Sequence, residues 1–233
     1  QAAAGDARPE LELADLASLA QVRDLAARLG ARPRIDVLIN NAGLVIGRRE
    51  VTQDGYERTL AVNHLAPFLL TNLLRPTLTA SAPARVITVS SVAHRGALLN
   101  LGNLQLDRGY LPMLAYANSK LANILFTREL ARRLDGSRVT ANCLHPGTIR
   151  TRFGDTGARW LRLGLMVAGA FLKTPESGAA TTVFLASSPA VAAETGGYYV
   201  SSRRRRPSRA ARDDGLARRL WDISATLTAL DST

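Results

Sequence analysis

Three short apolar runs limit how this chain can fold: RIDVLIN at 34–40, RVITVSS at 85–91 and RVTANCLH at 138–145. Each is dense in aliphatic and β-branched residues without strict polar alternation, the pattern of a strand covered on both faces. Between them the periodicity turns helical, over roughly 18–30, 54–79 and 113–134, the last ending at Asp135-Gly136. Strands alternating with helices predict an α/β fold, a Rossmann-like doubly wound parallel sheet with helices on both faces. ELEL at 10–13 reads as a further short strand, and GGYYVS at 196–201 as the last one. The glycines and proline of 93–112 predict a loop. An apolar helix is expected near 160–172, and another from Pro175 behind Thr174 as its N-cap. No repeat or linker divides residues 1–233, so one domain is expected, closed by a basic loop and helix over 202–233.

The single cysteine, Cys143, excludes an internal disulfide and lies in a strand run, where a thiol acts as a small hydrophobe. The longest apolar stretch, WLRLGLMVAGAFLK at 160–173, contains Arg162 and falls short of the roughly 20 residues that span a bilayer. With no signal peptide at its start, the chain is expected to be cytoplasmic, or membrane-associated on the cytoplasmic side, and not secreted. The net charge of +11 raises the question of nucleic acid, and SSRRRRPSRAAR at 201–212 concentrates it. No helix-turn-helix, zinc finger or aromatic platform accompanies those arginines, so a solvated loop is expected there. An acidic or lipid surface, then nucleic acid, are the weaker alternatives. His64, His94 and His145 lack metal-ligand spacing, so no metal is expected.

The chemistry concentrates in AYANSKLANILF at 115–126. Arginine supplies nearly all of the 30 basic residues, yet one of only two lysines stands four residues after a tyrosine. That spacing puts Tyr116 and Lys120 on one helical face. A tyrosine of pKa about 10 is a poor base near neutrality, and a neighbouring ammonium favours its phenolate. Such a tyrosine can give a proton to a carbonyl oxygen, or take one from an alcohol. Lysine suits a close approach to both a phenolate and a ribose, being a compact point charge with rotatable donors.

In order, DVLINNAG, LAVNHLAPF, RVITVSSVAH, AYANSKLANILF and HPGTIRT resemble the motif set of the short-chain dehydrogenase/reductase superfamily. YANSK through RELARRL and the ending ARRLWDIS are most similar to its retinol-dehydrogenase-like branch. The resemblance implies Tyr116 as general acid/base, Lys120 as its pKa modulator and ribose ligand, and Ser91, rather than Ser90, as the hydroxyl that holds the reacting oxygen. It implies that Asn63 holds a water linking Lys120 to solvent. Cofactor contacts are implied for Asp15 and Leu16, for Asn41, Ala42 and Gly43, and for Pro146, Gly147, Ile149 and Thr151. The implied cofactor is NADP or NAD, with NADP favoured. The implied substrate is a small hydrophobic alcohol or carbonyl compound, such as a retinoid, steroid or lipid-like aldehyde, under a lid at 157–174. A membrane surface and a second copy of the chain are the other partners compatible with the branch; nucleic acid is disfavoured.

The superfamily's glycine-rich phosphate turn, T-G-x-x-x-G-x-G, does not occur in this sequence. Against the superfamily's order of elements, the first strand, its helix and the second strand are absent. The chain is therefore expected to be a fragment of a longer enzyme, with an exposed apolar edge at 34–40 and impaired turnover. A non-catalytic remnant, or an arginine-rich protein binding nucleic acid or an acidic surface, is the alternative.

Overall fold

The computed structural model describes residues 9–147 and 175–230. The helix and lid expected within 157–174, the Thr174 cap, Ile149 and Thr151 lie outside the described residues. Four strands stand side by side in chain order and parallel: β1 (Val37–Asn40), β2 (Ala84–Val89), β3 (Val139–His145) and β4 (Tyr198–Val200). The helices are α1 (Leu19–Gly30), a composite α2 from Arg58–Leu60 to Ala66–Leu73, α3 (Arg75–Ala80), α4 (Pro112–Arg133), α5 (Pro175–Ser187) and α6 (Asp214–Leu227).

Strand alternation sorts the core into two layers. Ala84 and Val86 of β2, with Val139 and Ala141 of β3, pack against Phe68, Phe126, Leu130 and Trp221 from α2, α4 and α6. Ile87, Val89 and Leu144 face the other way and meet Leu185 of α5 and Tyr199 of β4. The Trp221 ring stacks on Phe126 and lies edge-on to Phe68, which locks α6 over the first layer. The expected parallel sheet with helices on both faces is what these contacts build.

Four expectations need correction. The ELEL segment is not a strand: Leu11 and Leu13 are 82% and 78% exposed. Among the described residues no sheet edge pairs with its backbone, and ion pairs from Glu12 to Arg28 of α1 (2.8 Å) and from Glu10 to Arg32, just after α1, hold it instead. The long helix expected over 54–79 is interrupted. It starts at Arg58, where the buried Glu57 carboxylate accepts from the Thr59 and Leu60 amides, turns π-helical over Ala61–Leu65, and breaks at Leu74 before Pro76. Proline cannot continue the hydrogen-bond ladder. β4 is not the last strand, and the arginine run is not simply a loop: Arg203–Arg205 forms β5, antiparallel to β4. Ser201 and Ser202 turn between them, both with positive φ (51° and 57°), as a tight hairpin requires. The exposed arginines of β5 give that sheet edge a charged finish that discourages further strand pairing.

Candidate active site

The site lies where β2 ends against the first half of α4. Ser90 and Ser91 leave β2 on opposite errands. Ser90 is buried, and its hydroxyl donates to the Lys120 carbonyl (2.7 Å), fastening α4 to the sheet. Ser91 is half-buried; its Oγ accepts from the Ala93 amide (3.2 Å) and hydrogen-bonds the Tyr116 phenol.

Lys120 stands one helical turn after Tyr116, its Nζ 5.6 Å from the Tyr116 ring centroid. It is 3% exposed and donates to the Val89 carbonyl (3.2 Å), which also accepts from Asn123 (3.3 Å). No carboxylate pairs with this ammonium among the described residues, and burial lowers its pKa to about 8. An ammonium has three donors and Lys120 has one hydrogen-bond acceptor among the described residues, which leaves two N–H groups available to a ligand there. That donor set fits the hydroxyls of a ribose.

Burial pushes the Tyr116 phenol above its ordinary value, and the Ser91 hydrogen bond pulls it partway back. The lowering by Lys120 expected from the sequence does not dominate, because the same burial that would strengthen the pair also drives the ammonium toward neutrality. At neutral pH the phenol is protonated, the state that can donate.

Asn63 sits in the π-helical turn. Its Oδ1 accepts from the Leu44 amide (2.8 Å), while Nδ2 donates to the Leu44 carbonyl (2.9 Å) and to Ser119 Oγ (3.0 Å). Ser119 in turn donates to the Tyr116 carbonyl (2.8 Å). The side chain thus clamps the segment after β1 to α4 and keeps a single acceptor lone pair for any water.

Asn41, Ala42 and Gly43 are exposed beyond β1. A Cβ on Gly43 would stand 2.9 Å from Lys120 Nζ, so a larger residue there would displace the ammonium. Pro146 and Gly147 follow β3, next to the end of β2, with Gly147 at φ 90°. Asp15 Oδ1 accepts from the Ala17 amide (2.9 Å), and Leu16 packs near Val22 and Leu69. No contact among the described residues joins Asp15 or Leu16 to the Tyr116 group.

The structure therefore gathers Asn63, Ser91, Tyr116, Lys120 and Gly43. Sequence reasoning gave no role to Ser119 or His94, which brace this group; His94 follows Ser91 by three residues, and that spacing was the available signal.

A family model described as short chain dehydrogenase matches residues 10–161. Human retinol dehydrogenase 14 is 45% identical over 224 residues, covering 93% of this chain and 66% of that protein. The chain thus spans just under two thirds of that relative's length. A crystal structure of an uncharacterised protein from Mycobacterium paratuberculosis aligns at 38% identity with a TM-score of 0.74, covering 94% of this chain and 75% of the other. A blue fluorescent protein from a metagenomic library, crystallised with NADPH, aligns at 33% identity with a TM-score of 0.61, covering 79% and 71%.

Proposed function

The chain belongs to the short chain dehydrogenase family, and from that premise we propose that it carries the proton-transfer wall of an NAD(P)-dependent oxidoreductase. Its reaction interconverts a hydrophobic alcohol and the corresponding aldehyde or ketone. The observation that carries the reading is a buried ammonium with no carboxylate partner among the described residues, set 5.6 Å from the ring of a protonated phenol.

The nicotinamide, when bound, supplies or accepts the hydride. In reduction, the Tyr116 phenol gives its proton to the substrate oxygen, while the Ser91 hydroxyl holds that oxygen and the phenol in register. The Lys120 charge stabilises the phenolate left behind, and its two spare N–H groups hold the nicotinamide ribose. Asn63 keeps Leu44 and α4 at a constant separation, so the ribose side and the phenol side do not drift apart.

Asn41, Ala42 and Gly43 are assigned to the adenosine ribose side, Asp15 and Leu16 to the adenine, and Pro146, Gly147, Ile149 and Thr151 to the nicotinamide and phosphates. The NADPH complex of the metagenomic protein favours NADP over NAD here. Val92, Leu98, Leu111 and Met113, on the stretch between Ser91 and Tyr116, are all exposed, which supports an apolar substrate such as a retinoid or other lipid-like aldehyde.

The test is NADPH-dependent reduction of a series of hydrophobic aldehydes by the protein and its Tyr116→Phe variant. The variant is expected to lose about 100-fold or more in rate, the scale of general acid catalysis. A Tyr116→Phe protein that matches the parent rate would defeat the assignment.

A further inference from the structure

The Ser91 carbonyl is held twice by one residue. The His94 amide donates to it (3.2 Å), and the same histidine's Nδ1 lies 2.6 Å from it. On its far side, His94 Nε2 lies 3.2 Å from the Ser208 amide nitrogen. An amide can only donate, so Nε2 must accept, and the ring proton therefore resides on Nδ1, where it donates to Ser91. The ring is 1% exposed and meets the Tyr198 ring edge-on, with centroids 5.1 Å apart.

The next residue reinforces the arrangement. Arg95 donates through Nη2 to the Arg206 carbonyl (3.1 Å), so residues 94 and 95 together grip the segment that leaves the arginine strand. Burial, with Arg95 nearby, keeps His94 in its neutral form. Among the described residues, Tyr198, Arg95, Ser91 and Ser208 are the polar or charged groups shown against it.

Ser91 has little freedom left. Its φ and ψ are −152° and 157°, its Oγ caps the following turn, and its carbonyl is clamped by His94. We propose that His94 is a positioning residue: the Ser208 amide selects its Nδ1–H tautomer, that tautomer locks the Ser91 peptide, and the Ser91 hydroxyl is thereby aimed at Tyr116. The segment after the arginine hairpin becomes a distant support of the site. This deepens the proposed function, because it treats the Ser91–Tyr116 pair as the reacting one.

The experiment reads Tyr116 itself, with neither cofactor nor substrate present. Tyrosine labelled with carbon-13 at Cζ is titrated by NMR, and the Tyr116 signal is assigned by its loss in Tyr116→Phe. Ser91→Ala should move the Tyr116 midpoint upward, since the lost hydrogen bond favours the phenolate. His94→Phe keeps a ring against Tyr198 but has no ring nitrogens, and should move the midpoint in the same direction. His94→Asn restores an amide donor near the Nδ1 position, and should return it toward the parent value. Equal melting temperatures for the two His94 variants would separate aiming from folding.

A His94→Phe protein that titrates like the parent overturns the proposal, as does a His94→Asn shift equal to that of His94→Phe. So does an unmoved midpoint in Ser91→Ala. Should the His94 variants not fold, nitrogen-15 NMR of the parent's imidazole decides: an Nδ1–H tautomer supports the proposal, and Nε2–H refutes it. Failure to reduce any aldehyde would count against the proposed function while leaving these titrations and their meaning intact.

Discussion

Two buried bases, one in the site and one beneath it, solve the same problem differently. His64, in the π-helical turn of α2, is 1% exposed and directs Nε2–H to Ser224 Oγ (2.8 Å), whose hydroxyl passes on to the Leu220 carbonyl (2.8 Å). Lys120, on α4, is 3% exposed and reaches one backbone carbonyl. Burial lowers both, His64 to about 4 and Lys120 to about 8. At neutral pH the histidine is therefore an uncharged hydrogen-bonding ring, well suited to joining α2 to α6. The lysine is still mostly charged, which costs stability, and among the described residues no carboxylate offsets that charge. A group kept at such a cost beside a phenol is better explained by chemistry than by packing.

Lys120→Met should have the largest effect. Folded Lys120 near 8 against an ordinary value of 10.5 means that the unfolded chain binds the proton more tightly. The Lys120 penalty is therefore full below pH 8, shrinks between pH 8 and 10.5, and is gone above that. The methionine variant should gain about 3 kcal/mol at pH 7, lose that advantage above pH 10.5, and lose turnover. Urea melts across pH, paired with the aldehyde assay, would show it. An unchanged or lowered stability at neutral pH would mean that the ammonium is not under strain.

The complementary test concerns His64. Its folded value lies below the ordinary 6.5, so its contribution is complete above pH 6.5 and is lost as pH falls toward 4, by about 3 kcal/mol. His64→Asn should flatten that acid limb and cost roughly 1 kcal/mol at pH 7 through the lost Ser224 contact. If the variant kept the parent's full acid dependence, some other group would be responsible.

The smallest effect should come from the adjacent serines. Ser90→Ala removes the bond to the Lys120 carbonyl and should lower stability by about 1 kcal/mol, while leaving the Tyr116 titration where it was. Ser91→Ala should do the reverse, moving the titration more than the melting curve. Identical behaviour of the two variants would erase the distinction between a serine that fastens α4 and one that faces the phenol.

Much of this arrangement is legible in the chain. The runs at 34–40, 85–91 and 138–145 lie within or around β1, β2 and β3, because an apolar β-branched run bounded by turns has few other uses. Tyr116 and Lys120 are readable as a pair because helical spacing is local. The failures share a cause in long-range pairing. ELEL has a strand's composition but no neighbouring strand among the described residues, and RRRR has the composition of a solvated loop but lies beside β4. The two-serine turn lacks the asparagine or glycine that usually announces a hairpin.

The alternating α/β order, the family motifs and the candidate proton-transfer side chains can be read locally, since each depends on residues near one another in the chain. How deeply Lys120 is buried, that Ser90 fastens α4 to the sheet, and that His94 meets the amide of residue 208 are set by the packing of distant segments. Burial and hydrogen-bond partnership depend on groups distant in sequence, and the charge state of a buried base follows from them.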